Sequence, residues 1–88
     1  MTWHVELTPG AVKDIERLSS KDQRRILEFL DQRVSSHPNP KVLAKRLAAT
    51  RAEAWRFRVG DYRIIVQFQD SRLVVLVVEV GNRREVYR

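Results

Sequence analysis

The sequence predicts an α+β fold in a single domain: an N-terminal strand, a two-helix hairpin, then an antiparallel meander of three or four strands. Three observations carry that expectation. Apolar residues alternate at the start of the chain, recur at helical spacing between Thr8 and Val34, and alternate again from Ala54 onward. A length of 88 residues leaves room for one core only. No repeat, low-complexity stretch or linker divides it, so residues 1–88 are read as one domain.

The elements follow in order. Trp3, Val5 and Leu7 alternate with His4 and Glu6, which describes a strand with one apolar face. Thr8-Pro9 then reads as a helix start, with Thr8 as N-cap and Pro9 at the first helical position. Ala11, Ile15 and Leu18 give the first helix its apolar stripe and leave Lys13, Asp14 and Arg17 outside. Ser20 with Gln23 three residues on reads as a capping box for a second helix, with Ile26, Leu27, Leu30 and Val34 along its buried face. His37-Pro38-Asn39-Pro40 ends that helix, because each proline disfavours helical geometry in the residue before it. Over residues 41–53 the pattern leaves two readings open, a helical turn or a covering loop built on Val42, Leu43 and Leu47. Trp55, Phe57 and Val59 then alternate with Arg56 and Arg58; Gly60-Asp61 turns the chain; and Tyr62, Ile64, Val66 and Phe68 continue the alternation. Asp70-Ser71 makes a second turn into the apolar run Leu73 to Val78, which suits a central strand, and Gly81-Asn82 stops it. Trp3 and Trp55 fall on the apolar sides of their strands as core residues, and His4 faces away.

Composition narrows the functional classes. The chain lacks cysteine, which excludes a disulfide framework, a thiolate zinc site and a Cys nucleophile. Its two histidines, His4 and His37, are too isolated for an ordinary transition-metal site, and no cofactor motif is present. No apolar run reaches the roughly 20 residues of a membrane helix, and the first residues lack a signal-peptide pattern, so a cytoplasmic protein without membrane association is expected. The net charge is +6 and is unevenly placed: +1 over residues 1–44 and +5 over residues 45–88. Nine of the ten basic residues in the second half are arginines, whose rigid fork of donors matches phosphate oxygens. Nucleic acid is therefore the first partner to consider.

A two-residue loop at Gly60-Asp61 also fixes a register. Val59 then pairs with Tyr62, Arg58 with Arg63, and Arg56 with Ile65, so Arg56, Arg58 and Arg63 share one sheet face. Like charges opposed in this way destabilise a sheet unless an anion lies between them. Asp61, Glu53, Glu79 and Glu85 are the carboxylates available to neutralise the cluster from within, but basic residues outnumber acidic ones two to one in this half. Other chemistries fail on their requirements. Neither histidine stands beside a serine on a sharp turn, and Gly10, Gly60 and Gly81 do not form a phosphate-cradling loop.

The stretch Trp55-Arg56-Phe57-Arg58-Val59-Gly60-Asp61-Tyr62-Arg63, together with Val80-Gly81-Asn82-Arg83-Arg84-Glu85-Val86-Tyr87, resembles the RelE/ParE superfamily of bacterial toxins, with the closer likeness to the RelE branch. The resemblance covers nearly the whole chain. It implies a fold related to microbial ribonucleases and an endoribonuclease that cuts mRNA in the A site of the 70S ribosome, beside 16S rRNA. It also implies a RelB-like antitoxin that silences the toxin, usually as a heterotetramer. By position it makes Arg63 and Arg83 the transition-state arginines and Tyr87 the C-terminal catalytic tyrosine, with Arg56, Arg58, Arg84 and Lys45 binding RNA phosphates. Arg56 and Arg58 stand where relatives commonly carry lysine, and Asn82 where many carry histidine. An arginine keeps its proton, so Arg58 cannot replace a lysine as general base. A ParE-like poison of DNA gyrase, without nuclease chemistry, is the alternative that the same scaffold implies.

Overall fold

A computed structural model describes residues 2–47 and 54–82. Strand β1 (His4–Leu7) leads into helix α1 (Pro9–Glu16) and helix α2 (Ser20–Glu28), which continues through a wider π-helical segment, Phe29–Val34. After a 3₁₀ turn (Pro40–Leu43) come β2 (Lys45–Arg46), β3 (Trp55–Val59), β4 (Tyr62–Gln69) and β5 (Val74–Asn82). The five strands form one sheet in the order β1-β5-β4-β3-β2. Strands β2 to β5 are the expected antiparallel meander, and β1 joins its far edge parallel to β5.

Local chemistry accounts for most of the boundaries. Thr8 has extended backbone, and its Oγ1 accepts the Ala11 N–H at 3.1 Å, with Pro9 opening the helix behind it. The second helix begins one residue earlier than the capping-box reading. Ser19, not Ser20, is the N-cap, and its Oγ accepts the Asp22 N–H at 3.2 Å. Gln23 is occupied elsewhere, donating from Nε2 to the Leu18 carbonyl at 2.9 Å and so tying α2 to the end of α1. Leu27 corrects another expectation: it is 43% exposed, because the stripe that meets the sheet is Ile26, Leu30 and Val34, joined by Phe29. The π-helical end places Ser35 against β1, where its Oγ donates to the Trp3 carbonyl at 2.8 Å and its own carbonyl accepts the Trp3 N–H. Over residues 41–47 the two open readings resolve into a 3₁₀ turn followed by the edge strand β2.

Strand β5 carries the irregularity that shapes the sheet. It does not stop at Gly81-Asn82 but stays paired through Asn82, opposite Tyr62. It also begins at Val74 and not Leu73, which takes a left-handed conformation (φ 53°, ψ 47°) at the end of the 3₁₀ turn Asp70–Arg72. The register shifts between Ile65 and Val66: Ile65 pairs with Glu79 while Val66 pairs with Val77, so Val78 is an extra residue. The shift lets Val75, Val77 and Val80 all point to the helices, and all three are buried. Helix α1 satisfies the groups the bulge disturbs. Asp14 Oδ2 accepts the Val80 N–H at 3.0 Å, and Thr8 Oγ1 donates to the Val78 carbonyl at 3.2 Å. Asp14 is thus half-buried and structural rather than an outward-facing surface residue.

Both helices pack on one sheet face, and the core lies between them and Trp3, Phe57, Ile64, Val66, Phe68, Val75, Val77 and Val80. Trp3, Trp55 and Phe57 each meet Phe68 edge-on, at 5.9, 5.4 and 6.0 Å between ring centroids. Among the described residues no helix is long and apolar enough to cross a membrane. The two neighbouring positions on α2 separate core from surface: Ile26→Ala should lower unfolding stability by about 2–5 kcal/mol, while Leu27→Ala should change it by less than about 0.5 kcal/mol, both read from urea midpoints at constant slope.

Candidate functional site: a cationic sheet face

The β3–β4 hairpin has the register its turn residues dictate. Gly60 has φ 58°, a left-handed value that glycine adopts without the cost of a Cβ, and Asp61 completes the two-residue loop. Val59 pairs with Tyr62, Arg58 with Arg63, Arg56 with Ile65 and Trp55 with Val66. Alternation then sends Trp55, Phe57, Val59, Tyr62 and Ile64 toward the helices and Arg56, Arg58, Arg63 and Ile65 to the opposite face.

Strand β2 extends this face. Lys45 pairs with Arg56, so one row across the sheet reads Lys45, Arg56, Ile65, Glu79, and the next reads Arg58, Arg63, Gly81. Four cations therefore lie on neighbouring positions of three strands. Among the described residues Lys45, Arg56 and Arg58 make no ion pair; the ion pairs present join Arg17 to Asp14, Arg25 to Asp22, Lys41 to Asp70 and Arg72 to Glu6. Glu79 shares the face without pairing to any of them, and Asp61 does not neutralise them either. Arg63 differs from its neighbours. It is 5% exposed and has a partner holding it, whereas Arg58 is exposed and Arg56 half-buried. The arrangement combines one buried arginine with accessible charges around it, and a phosphodiester chain has the matching charge and donor demand.

The back of the hairpin is clamped to α2. Tyr62 Oη donates to Asp22 Oδ2 at 2.8 Å, and a Cβ on Gly60 would stand 2.6 Å from Arg25 Nη2. Glycine at position 60 thus serves the turn and also leaves space for the Arg25 guanidinium. Donation to Asp22 pushes the Tyr62 phenol above its ordinary value of 10; burial and the nearby charges of Asp22 and Asp61 add to the shift, and Arg25 opposes it. Nothing in the local sequence pattern announced this clamp, because its partners lie 40 residues apart.

Of the residues assigned to RNA, the structure brings Lys45, Arg56, Arg58 and Arg63 onto one face. Arg83, Arg84 and Tyr87 lie outside the described residues, as do Glu53 and Glu85. Lys45 was assigned through the resemblance alone; its pairing with Arg56 needs strand β2, which a two-residue stretch without alternation does not signal.

The fold and the face together define a small α+β protein, two helices backing a five-stranded sheet whose other side is rich in arginine. The comparisons make the class definite. Residues 5–87 match the family described as the ParE toxin of type II toxin–antitoxin systems, parDE, and the chain belongs to that family, within the RelE/ParE superfamily. Toxin RelE of Mycobacterium tuberculosis (strain ATCC 25618 / H37Rv) is 29% identical over 86 residues, 98% of this chain and 87% of that protein. Toxin RelG of the same organism is 28% identical over 90 residues, 100% of this chain and 99% of that protein. Among solved structures, the RelE–RelB complex from Pyrococcus horikoshii OT3 contains a similar chain: TM-score 0.75, 29% identity, 94% of this chain and 97% of that one. The RelBE2 toxin–antitoxin complex from M. tuberculosis matches in fold with a TM-score of 0.86 at 24% identity, covering 94% of this chain and 93% of that one. The expected likeness to RelE toxins is therefore borne out, and the chain is a toxin of the type II toxin–antitoxin class within the RelE/ParE superfamily.

Two outcomes follow from this geometry. Arg58→Gln relieves the direct opposition to Arg63 and should raise unfolding stability by about 0.2–1 kcal/mol, more at low salt than at high salt, in chemical denaturation. Tyr62 holds its proton more tightly when folded than when unfolded. Its contribution to stability is therefore complete below about pH 10 and is lost as pH rises through the higher folded value. Tyr62→Phe should remove that part of the alkaline loss, as read from melting temperatures across pH 8–12.

Proposed function

We propose that this toxin is a metal-independent endoribonuclease that cleaves mRNA in the ribosomal A site and so arrests translation. The observation that carries the reading is the cationic face: Lys45, Arg56, Arg58 and Arg63 on neighbouring positions, three of them with no ion pair among the described residues. A face held together only for stability would pair these charges with carboxylates, and Glu79, which shares the face, pairs with none of the three. The likeness to toxins named RelE supports the choice of RNA as the polyanion.

The chemistry required is attack by the 2′-hydroxyl on the adjacent phosphorus, in line with the departing 5′-oxygen. Negative charge builds on the phosphoryl oxygens in the transition state. Arg63 is suited to meet it, because its position at the middle of the cationic face is set by a paired strand and its charge is present before the transition state forms. Arg83 would add a second fork, and Tyr87 would protonate the departing oxygen. Arg56, Arg58, Arg84 and Lys45 would hold the flanking phosphates and draw RNA in from solution. The ribosome would supply the rest of the positioning by presenting the message in one conformation.

A RelB-like antitoxin is the proposed protein partner, in a toxin–antitoxin heterotetramer. The solved relatives named as RelE–RelB complexes support it, and an acidic segment laid over the cationic face would silence the site. The family description names ParE, which favours one second reading: a poison of DNA gyrase that uses the same scaffold without cleavage.

Induction of the toxin separates the two, since the nuclease reading expects mapped breaks in mRNA and the gyrase reading expects DNA damage with intact messages. On the nuclease reading, Arg63→Ala should lower cleavage of ribosome-bound mRNA by roughly 10²–10³-fold and abolish growth arrest while antitoxin binding persists. Undiminished cleavage by that variant in primer extension would overturn the assignment.

A further inference from the structure

The arginines of the cationic face provide charge stabilisation but no proton acceptor, and Lys45 lies on the edge strand β2, two strands from Arg63. Arginine retains its proton at any working pH, and a tyrosine is a poor base at neutral pH unless its pKa falls far below 10. We infer that Glu79 is the general base of the site, an inference that rests on the nuclease reading above.

Position supports it first. Glu79 pairs with Ile65 and therefore projects on the arginine face, in the same row as Arg56 and Lys45. Gly81 is the residue directly opposite Arg63, so Glu79 is its diagonal neighbour, roughly 7–8 Å away between backbones. That separation suits two side chains closing on adjacent atoms of one nucleotide, with the guanidinium on a phosphoryl oxygen and the carboxylate on the neighbouring 2′-hydroxyl. Gly81 keeps the ground beside Arg63 clear of a side chain.

The bulge in β5 supports it second. If the pairing of Val66 with Val77 continued without interruption, Glu79 would fall opposite Ile64 in the core and Val80 opposite Arg63. The extra residue Val78 reverses both placements, sending Val80 inward and Glu79 outward. Asp14 and Thr8 hold that device in place through the Val80 N–H and the Val78 carbonyl.

Its electrostatic setting supports it third. Glu79 is exposed and makes no ion pair among the described residues, although Arg63, Arg56 and Lys45 occupy its face. The remaining charged groups on that face are Arg58 on β3 and, on β1, Glu6, which pairs with Arg72, and His4. A carboxylate spent on neutralising the cluster would be bound to one of its arginines. Glu79 is left available.

The step balances without a further reactant. The Glu79 carboxylate takes the proton of the 2′-hydroxyl as the bond from that oxygen to phosphorus forms. The bond from phosphorus to the 5′-oxygen breaks, and that oxygen takes a proton from the acid of the site or from water. The products are a 2′,3′-cyclic phosphate and a 5′-hydroxyl, and Glu79 then returns its proton to solvent.

The test is single-turnover cleavage of mRNA on programmed ribosomes by the wild type, Glu79→Gln, Glu79→Asp and Arg63→Ala, each followed across pH. Glu79→Gln should slow cleavage at saturating toxin by roughly 10²–10⁴-fold with little change in the half-saturating toxin concentration. The acidic limb of the pH–rate profile should vanish in Glu79→Gln and persist in Glu79→Asp, which a purely structural role would not produce. If Glu79→Gln cleaves at the wild-type rate or faster with its acidic limb intact while Arg63→Ala is inactive, Glu79 is not the base and the nuclease reading stands. If the wild type leaves mRNA whole, or Arg63→Ala cleaves as well as the wild type, the underlying reading fails first.

Discussion

Two guanidinium groups, those of Arg58 and Arg63, face each other across the β3–β4 hairpin, and Arg58 makes no ion pair among the described residues. Holding them there requires a register that cannot slip, because a shift of one residue would turn the arginines into the core and Phe57 and Ile64 out of it. The apolar side resists such a shift. Phe57, Ile64 and Val66 are fully buried against Ile26, Leu30 and Val34, and exchanging that surface for charge would cost far more than the repulsion it removed. Hydrophobic packing on one face thus enforces an electrostatically unfavourable arrangement on the other.

The helices contribute more than a hydrophobic lid. Asp22 on α2 holds the turn end of the hairpin through Tyr62, and Gly60 leaves room there for the Arg25 side chain. Asp14 and Thr8 at α1 hold the bulge of β5. Both contacts join a helix on the core side to a strand position whose neighbours project on the cationic side. Rigid scaffold elements, not loops, therefore set the spacing of Arg58, Arg63 and Glu79.

Much of this was legible in the linear pattern. Thr8-Pro9 signalled its helix start because a cap and a proline act within one turn, and Gly60-Asp61 signalled the hairpin because a two-residue loop determines the pairing on either side of it. The misreadings have local causes. Ser19 and Ser20 are adjacent and equally able to cap, and Gln23 decided between them by binding the preceding helix. Leu27 fits the helical stripe by spacing, yet only the row Ile26, Leu30 and Val34 meets the sheet, and Leu27 falls beside it.

Period-two alternation and turn chemistry are short-range properties, so the chain announces its strands, its hairpin register and the grouping of Arg56, Arg58 and Arg63 without reference to anything distant. Placing Lys45 beside Arg56, burying Arg63, and turning Glu79 outward through the extra residue at Val78 all depend on segments remote in sequence coming together. Those contacts are made when helix α1 and strands β2 and β5 dock, because a bulge or an edge strand is stabilised by its partners and carries little preference of its own.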